Sequence, residues 1–250
     1  MCFELDSLPP IPALSGAAVS HRDLVLEAAD GNRFAAFEAT PDEPGGAAVV
    51  VLPDVRGLYR FYEELALRLA ERSISAVAFD YFGRTAGVDK RGDDFPYSEH
   101  MGPLTQEQVR ADVRAAVEHL RPKASAIFTV GFCFGGRQSW LAAADGHGLA
   151  GAIGFYGRPG VGTDGAPGPA QRAAEIEAPI LALQAGADQH ITADDNAAFE
   201  AALRAAGVEH ELVTYEGAPH SFFDRSYEQF ADASADAWTR VLAFVDRHSS

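Results

Sequence analysis

Cys133 stands in Gly131-Phe132-Cys133-Phe134-Gly135-Gly136, directly after the apolar run 126–132. The spacing Gly-x-Cys-x-Gly is that of a nucleophile elbow, with a thiol where a serine hydroxyl is commoner. Such a turn lifts the nucleophile onto unfavourable backbone dihedrals, and the flanking glycines let strand and helix approach closely because they carry no Cβ. The helix that starts at Gly135 directs the positive end of its dipole at the sulfur, which favours negative charge there. A free thiol taken alone is most often a buried packing residue. Glycines on both sides, at a strand end, argue instead for a displayed one. The same glycines could cradle a phosphate, but Arg137-Gln138 follow Gly136 where a Walker loop needs Lys-Ser/Thr, and no Gly-x-Gly-x-x-Gly occurs at this turn.

An elbow nucleophile needs an acid and a base, in the chain order nucleophile, acid, base. Asp188 follows the apolar run 179–185, and His220 sits in Gly217-Ala218-Pro219-His220-Ser221-Phe222 beyond the run 209–215. Alone, Asp188 reads as a loop-capping residue and His220 as an exposed loop histidine. Together with Cys133 they stand at three strand ends, where open α/β sheets build their sites. His190 lies two residues past Asp188 and competes for a pocket role, whereas His21, His100, His119, His147, His210 and His248 have no comparable context.

The elements that must position these residues are legible in the periodicity. The runs 24–28 and 33–38 flank Asp30-Gly31-Asn32 and predict a β-hairpin. Unalternating apolar runs at 47–52, 76–79 and 126–132 predict buried strands, and 152–156 and 179–185 predict two more strands. The alternating run 209–215 predicts an edge strand. Phe61, Leu65 and Leu69 repeat at helical spacing, as do Val109, Val113, Val117 and Leu120 behind the capping box Thr105–Gln108. Helices are further expected at 135–144, 193–206 and 227–247, the last burying Phe230, Trp238, Val241, Leu242 and Val245. Residues 83–103 read as a long polar loop, and 158–169 as a Gly/Pro loop. Strands alternating with helices from residue 47 onward predict a mostly parallel central sheet with helices on both faces, in a single domain spanning 1–250.

The chain has 250 residues, 47% hydrophobic and 22% charged, which excludes dominant disorder. Its net charge of −16 opposes binding to nucleic acid or to an anionic membrane surface. Cys2 and Cys133 are the two cysteines, so no disulfide scaffold is expected. The N-terminus carries no basic segment followed by an apolar run, and no stretch approaches a membrane span in length. A cytoplasmic protein is the expectation. Oligomeric state has no signature in the sequence.

With these residues in view, the chain from about 20 to 248 resembles the dienelactone hydrolase family, a Cys-His-Asp branch of the α/β-hydrolase fold. The marks are Gly131–Gly136, Ala185–Asp188 and Gly217–Phe222, with two further segments, Leu52–Gly57 and Asp80–Arg84. The resemblance implies an ester- or lactone-cleaving hydrolase without metal or organic cofactor, acting on a small-molecule substrate. Cys133 would be the nucleophile, His220 the base and Asp188 its orienting acid. The amides of Val55 and Phe134 would hold the oxyanion. Asp54 would stand where the family has a glutamate beside the resting thiol, one methylene shorter. Arg84 would bind a substrate carboxylate. The family's second carboxylate-binding arginine falls four residues after the histidine; here Asp224 holds that place and Arg225 is one further on. A redox-sensing thiol, a thiol-dependent acyltransferase and a non-catalytic binding protein on the same fold are the alternatives.

Overall fold

In the strand Ala47–Leu52 every residue is buried, yet successive side chains serve different cores. Val49 and Val51 pack into one hydrophobic cluster, Ala48, Val50 and Leu52 into another. Alternate side chains of a strand point to opposite faces, so an all-apolar strand must lie in the middle of a sheet covered on both sides. The computed structural model, which describes residues 7–92, 94–224 and 228–249, has this arrangement.

Among these residues eight strands form one sheet: β1 (Val19–Glu27), β2 (Arg33–Pro41), β3 (Ala47–Leu52), β4 (Ser75–Phe79), β5 (Ala126–Phe132), β6 (Gly151–Phe155), β7 (Ile180–Ala185) and β8 (His210–Tyr215). Their order across the sheet is β1-β2-β4-β3-β5-β6-β7-β8. The β1–β2 hairpin and the β2–β4 pair are antiparallel, and all pairs from β4 to β8 are parallel. This is the α/β-hydrolase fold. The expected N-terminal hairpin is present with longer strands than the sequence suggests. β8 closes the far edge as its alternation predicts.

Among the described residues seven α-helices surround the sheet: α1 (Arg60–Ala70), α2 (Gly83–Ala86), α3 (Tyr97–Met101), α4 (Gln106–Leu120), α5 (Phe134–Ala142), α6 (Ala193–Ala206) and α7 (Ala231–His248). The α1 stripe Phe61, Leu65 and Leu69 and the α7 residues Trp238, Val241 and Val245 pack into one core, and the α4 stripe Val109, Val113, Val117 and Leu120 into the other. Thr105 and Gln108 form the capping box that starts α4, and Gly207 ends α6 with φ +70°. Two expectations are corrected. Segment 83–103 is not an uninterrupted loop, because it carries α2 and α3. In α7 it is Phe244 that is fully buried, whereas Leu242 is only partly so. Apolar identity alone could not tell these two apart on a helix with a broad buried face.

The segment 83–104 is bolted to the sheet by a group the periodicity did not mark. Arg91 donates to Asp80 Oδ2 at 2.8 Å and to the carbonyls of Ala86 and Gly87, and its guanidinium lies 4.7 Å from the Phe95 ring centroid. The Arg91 and Asp80 side chains are buried. Among the described residues no helix is long and apolar enough to cross a membrane.

Candidate active site

The carboxyl ends of the parallel strands open into a cavity of about 650 Å³. Cys133 reaches it from the turn between β5 and α5, with φ +56° and ψ −112°. A non-glycine residue in this region of dihedral space is strained, and such strain persists only where surrounding contacts impose it. Here the Cys133 amide donates to the Phe155 carbonyl at 3.0 Å, and the neighbouring glycines admit no side chain. A Cβ on Gly131 would sit 1.9 Å from the Gly135 carbonyl oxygen, and one on Gly135 2.1 Å from that of Leu52. β5, α5 and the end of β3 therefore meet in backbone contact, and the thiol is the side chain left pointing out.

Asp188 and His220 come from the loops after β7 and β8. Asp188 Oδ2 lies 2.6 Å from His220 Nδ1, while its Oδ1 accepts the amides of His190 at 2.8 Å and Ile191 at 3.3 Å. Burial alone would raise the Asp188 carboxyl, but the His220 hydrogen bond and the amides outweigh it, and its pKa is lowered. The acid is thus held ionised against the imidazole. His220 and Cys133 line the same cavity, and the Tyr156 ring packs on His220 with centroids 4.9 Å apart. His190, the competing histidine, lines this cavity too, but its backbone amide, not its ring, meets Asp188.

Val55 and Phe134 line the cavity beside Cys133. Asp54 does not. Its carboxylate is wholly buried, accepts the Arg56 amide at 2.9 Å and lies 3.5 Å from Arg56 Nε. It remains electrostatically close to the thiol's surroundings. The buried Tyr81 hydroxyl, whose pKa is raised first by burial, feels Asp54, Asp80 and Cys133 together and donates to the Pro53 carbonyl at 2.9 Å.

Arg84 is not brought to the cavity. It forks onto Asp112 at 2.7 and 3.0 Å and onto Asp30 at 2.6 and 3.2 Å, at a separate surface depression beside the β1–β2 turn. The reason is local. Asp112 is fully buried on α4, and a buried carboxylate draws the nearest guanidinium. Arg225, like Cys2, lies outside the described residues. Asp224 accepts the Tyr156 hydroxyl at 2.7 Å.

Three further polar cavity residues, Tyr156, Arg158 and Arg137, were not marked as site residues by any motif. Tyr156 follows β6 with φ +37°, and Arg158 lies two residues on. Arg137, one turn after Cys133, donates to the carbonyls of Arg158, Gly160, Ala166 and Pro167 and pins loop 158–167 as a cavity wall. Its only sequence signal is a charged residue in a helix otherwise suited to burial.

The sequence pattern of the dienelactone hydrolase family matches residues 34–249. A Rhodococcus opacus protein named carboxymethylenebutenolidase is 28% identical, with 99% of this chain and 97% of that protein aligned. A Yersinia pestis relative assigned to the same enzyme by name is 30% identical, over 87% of this chain and 85% of its own. A Klebsiella pneumoniae structure named for dienelactone hydrolase superposes with a TM-score of 0.80 at 25% identity, covering 92% of this chain and 99% of that one. Elbow, sheet order and these relatives agree: the chain belongs to the dienelactone hydrolase family, hydrolases of the α/β-hydrolase fold.

Proposed function

We propose that this hydrolase cleaves a carboxylic ester or lactone through an acyl-cysteine. One observation carries the reading: a thiol held at positive φ opens into the same cavity as an imidazole whose other nitrogen is bonded to a buried carboxylate. In the forward step the thiol proton passes to His220 and the sulfur attacks the carbonyl carbon. The Val55 and Phe134 amides donate to the oxyanion, each worth about 3 kcal/mol by comparison with other such donors. His220 then gives its proton to the leaving alcohol. In the second step His220 takes a proton from water, the hydroxide attacks the thioester, and the thiol and a carboxylic acid are released. Asp188 keeps the ring oriented and offsets the charge of the imidazolium. The chemistry needs no metal or organic cofactor.

The substrate is a small molecule rather than a nucleic acid or a membrane surface, in keeping with a net charge of −16. A reducing, cytoplasmic setting suits a free thiol nucleophile.

The test is a panel of aryl acetates and unsaturated lactones. Cys133→Ala and alkylation of the wild type with iodoacetamide should each abolish turnover with the fold intact by circular dichroism. Asp188→Asn should lower kcat by up to ~10⁴, as loss of the orienting carboxylate does in other triads. Turnover that survives in Cys133→Ala removes the thiol from the mechanism.

A further inference from the structure

We propose that Arg91 is a positioning residue for the reaction: by pairing with Asp80 it fixes the Val55 amide where the oxyanion forms. This rests on the ester-hydrolase reading and adds to it a side chain outside the cavity on which the rate depends. The turn 53–58 after β3 is pinned along its length. The Tyr81 hydroxyl donates to the Pro53 carbonyl at 2.9 Å. The Asp54 amide donates to the Tyr62 hydroxyl at 2.8 Å and the Arg56 amide to Asp54 Oδ1 at 2.9 Å. The Gly57 amide donates to the Asp54 carbonyl at 3.2 Å and the Leu58 amide to Asp80 Oδ1 at 3.1 Å. Val55 lines the cavity, and within 54–58 its amide is the one that no acceptor among the described residues takes. An N–H kept out of internal hydrogen bonds in so fully paired a turn is available to a ligand.

Asp80 is the post from which that turn hangs. It follows β4, its own amide donates to the Ala35 carbonyl at 2.9 Å, and its carboxylate is buried. The turn lies directly on it: a Cβ on Gly57 would sit 2.2 Å from Asp80 Oδ1. Oδ2 accepts the Phe82 amide at 2.8 Å and Arg91 Nη2 at 2.8 Å. A buried carboxylate keeps its charge and its orientation when a cation is paired with it. Among the described residues Arg91 is the cation bonded to this one. Arg91 is itself fixed, because the Ala86 and Gly87 carbonyls also accept from its guanidinium and the Phe95 ring covers its face. Neither Arg91 nor Asp80 lines the cavity, so they act on the reaction through the turn. The Phe134 amide is set separately, by the first turn of α5. Loss of Arg91 therefore misplaces one of two oxyanion donors and leaves the thiol and the imidazole where they are.

The test reads the oxyanion apart from the thiol. With 4-nitrophenyl acetate, Arg91→Gln should lower kcat about tenfold or more and leave KM within about threefold. A group displaced by about 1 Å can cost ~10² in rate, and a lost oxyanion donor about 10²–10³. The ketone 1,1,1-trifluoro-4-phenylbutan-2-one should bind more weakly by the same factor. In its adduct the Cys133 sulfur bonds to the carbonyl carbon, the thiol proton passes to His220 and the oxygen carries the negative charge. Alkylation of Cys133 by iodoacetamide builds no oxyanion, so its rate should stay within about twofold. Arg91→Lys, which keeps a cation on Asp80, should recover part of both losses. Arg84→Lys, in a buried pair away from the cavity, should move neither. Unchanged kcat and ketone affinity per folded molecule overturn the assignment. So does a fall in alkylation equal to the fall in kcat, which marks a general disturbance of the site. If Arg91→Gln does not fold, Arg91→Lys decides by itself: a ketone affinity equal to that of the wild type overturns the proposal. If the wild type hydrolyses no ester, the ester-hydrolase reading fails, and ketone affinity against alkylation rate still decides Arg91.

Discussion

Arg84 illustrates how a single residue is assigned by its neighbours rather than by its place in a pattern. Its guanidinium is the sole cation hydrogen-bonded to Asp112 among the described residues, and Asn32 Nδ2 donates to the same carboxylate at 2.9 Å. Burial raises the Asp112 carboxyl, with Arg84 and Asn32 opposing that rise. Arg84→Ala would leave a buried carboxylate with one amide for company, a loss of about 3–5 kcal/mol for a buried pair broken on one side. The expected result in urea unfolding is a lower midpoint with an unchanged slope. Hydrolase activity of the folded fraction should change equally for neutral and anionic substrates.

At the scale of elements, the site depends on how closely β3, β5 and α5 approach one another. At Gly135, α5 meets the end of β3, since a Cβ there would meet the carbonyl oxygens of Leu52 and Pro53 at 2.1 and 2.3 Å. Neither oxygen can yield, because both belong to backbone at the end of a central strand. Gly135→Ala should therefore push α5 away from β3 and move Cys133 relative to the Val55 amide, costing about 1–3 kcal/mol or more of stability. Loss of turnover should exceed what the unfolded fraction explains, as activity per folded molecule will reveal. A full-rate, fully stable variant would mean that the elbow tolerates the displacement. Arg137 works at the same scale: one buried guanidinium fixes the wall that bears Arg158.

Across the whole molecule, the N-terminal hairpin is joined to the sheet's helical layer by a buried charge. Glu38 on β2 accepts from Arg22 on β1, from His119 near the end of α4 and from Lys123 just beyond it. Burial would raise this carboxyl, but these three partners prevail and hold it down to about 2, from 4.5. A depressed carboxylate contributes stability that is present above its unfolded value and lost as pH falls toward its folded one. The melting temperature of the wild type should thus drop between about pH 4.5 and pH 2 in part through Glu38. Glu38→Gln should start lower at neutral pH, by about 2 kcal/mol for charged hydrogen bonds lost, and fall less steeply on acidification. Parallel acid profiles for the two proteins would show that the cluster contributes nothing to this linkage.

The sequence alone determined the alternation of buried strands and helices, the capping box at Thr105, and the thiol, acid and base at three strand ends. These are local signals: periodicity, turn chemistry and glycine spacing act within a few residues of chain. Tertiary structure alone decided which charges meet. Asp112 is 28 residues from Arg84, and Asp30 is 54 away, yet these two carboxylates hold the arginine that resemblance directed to the substrate. Arg137 and Arg158 became cavity residues because α5 and the loop after β6 converge at the carboxyl ends of two neighbouring central strands, 21 residues apart in the chain. A guanidinium is long, flexible and drawn to the nearest desolvated carboxylate or carbonyl. Its partner is therefore fixed by the packing of distant elements, which no short stretch of sequence encodes.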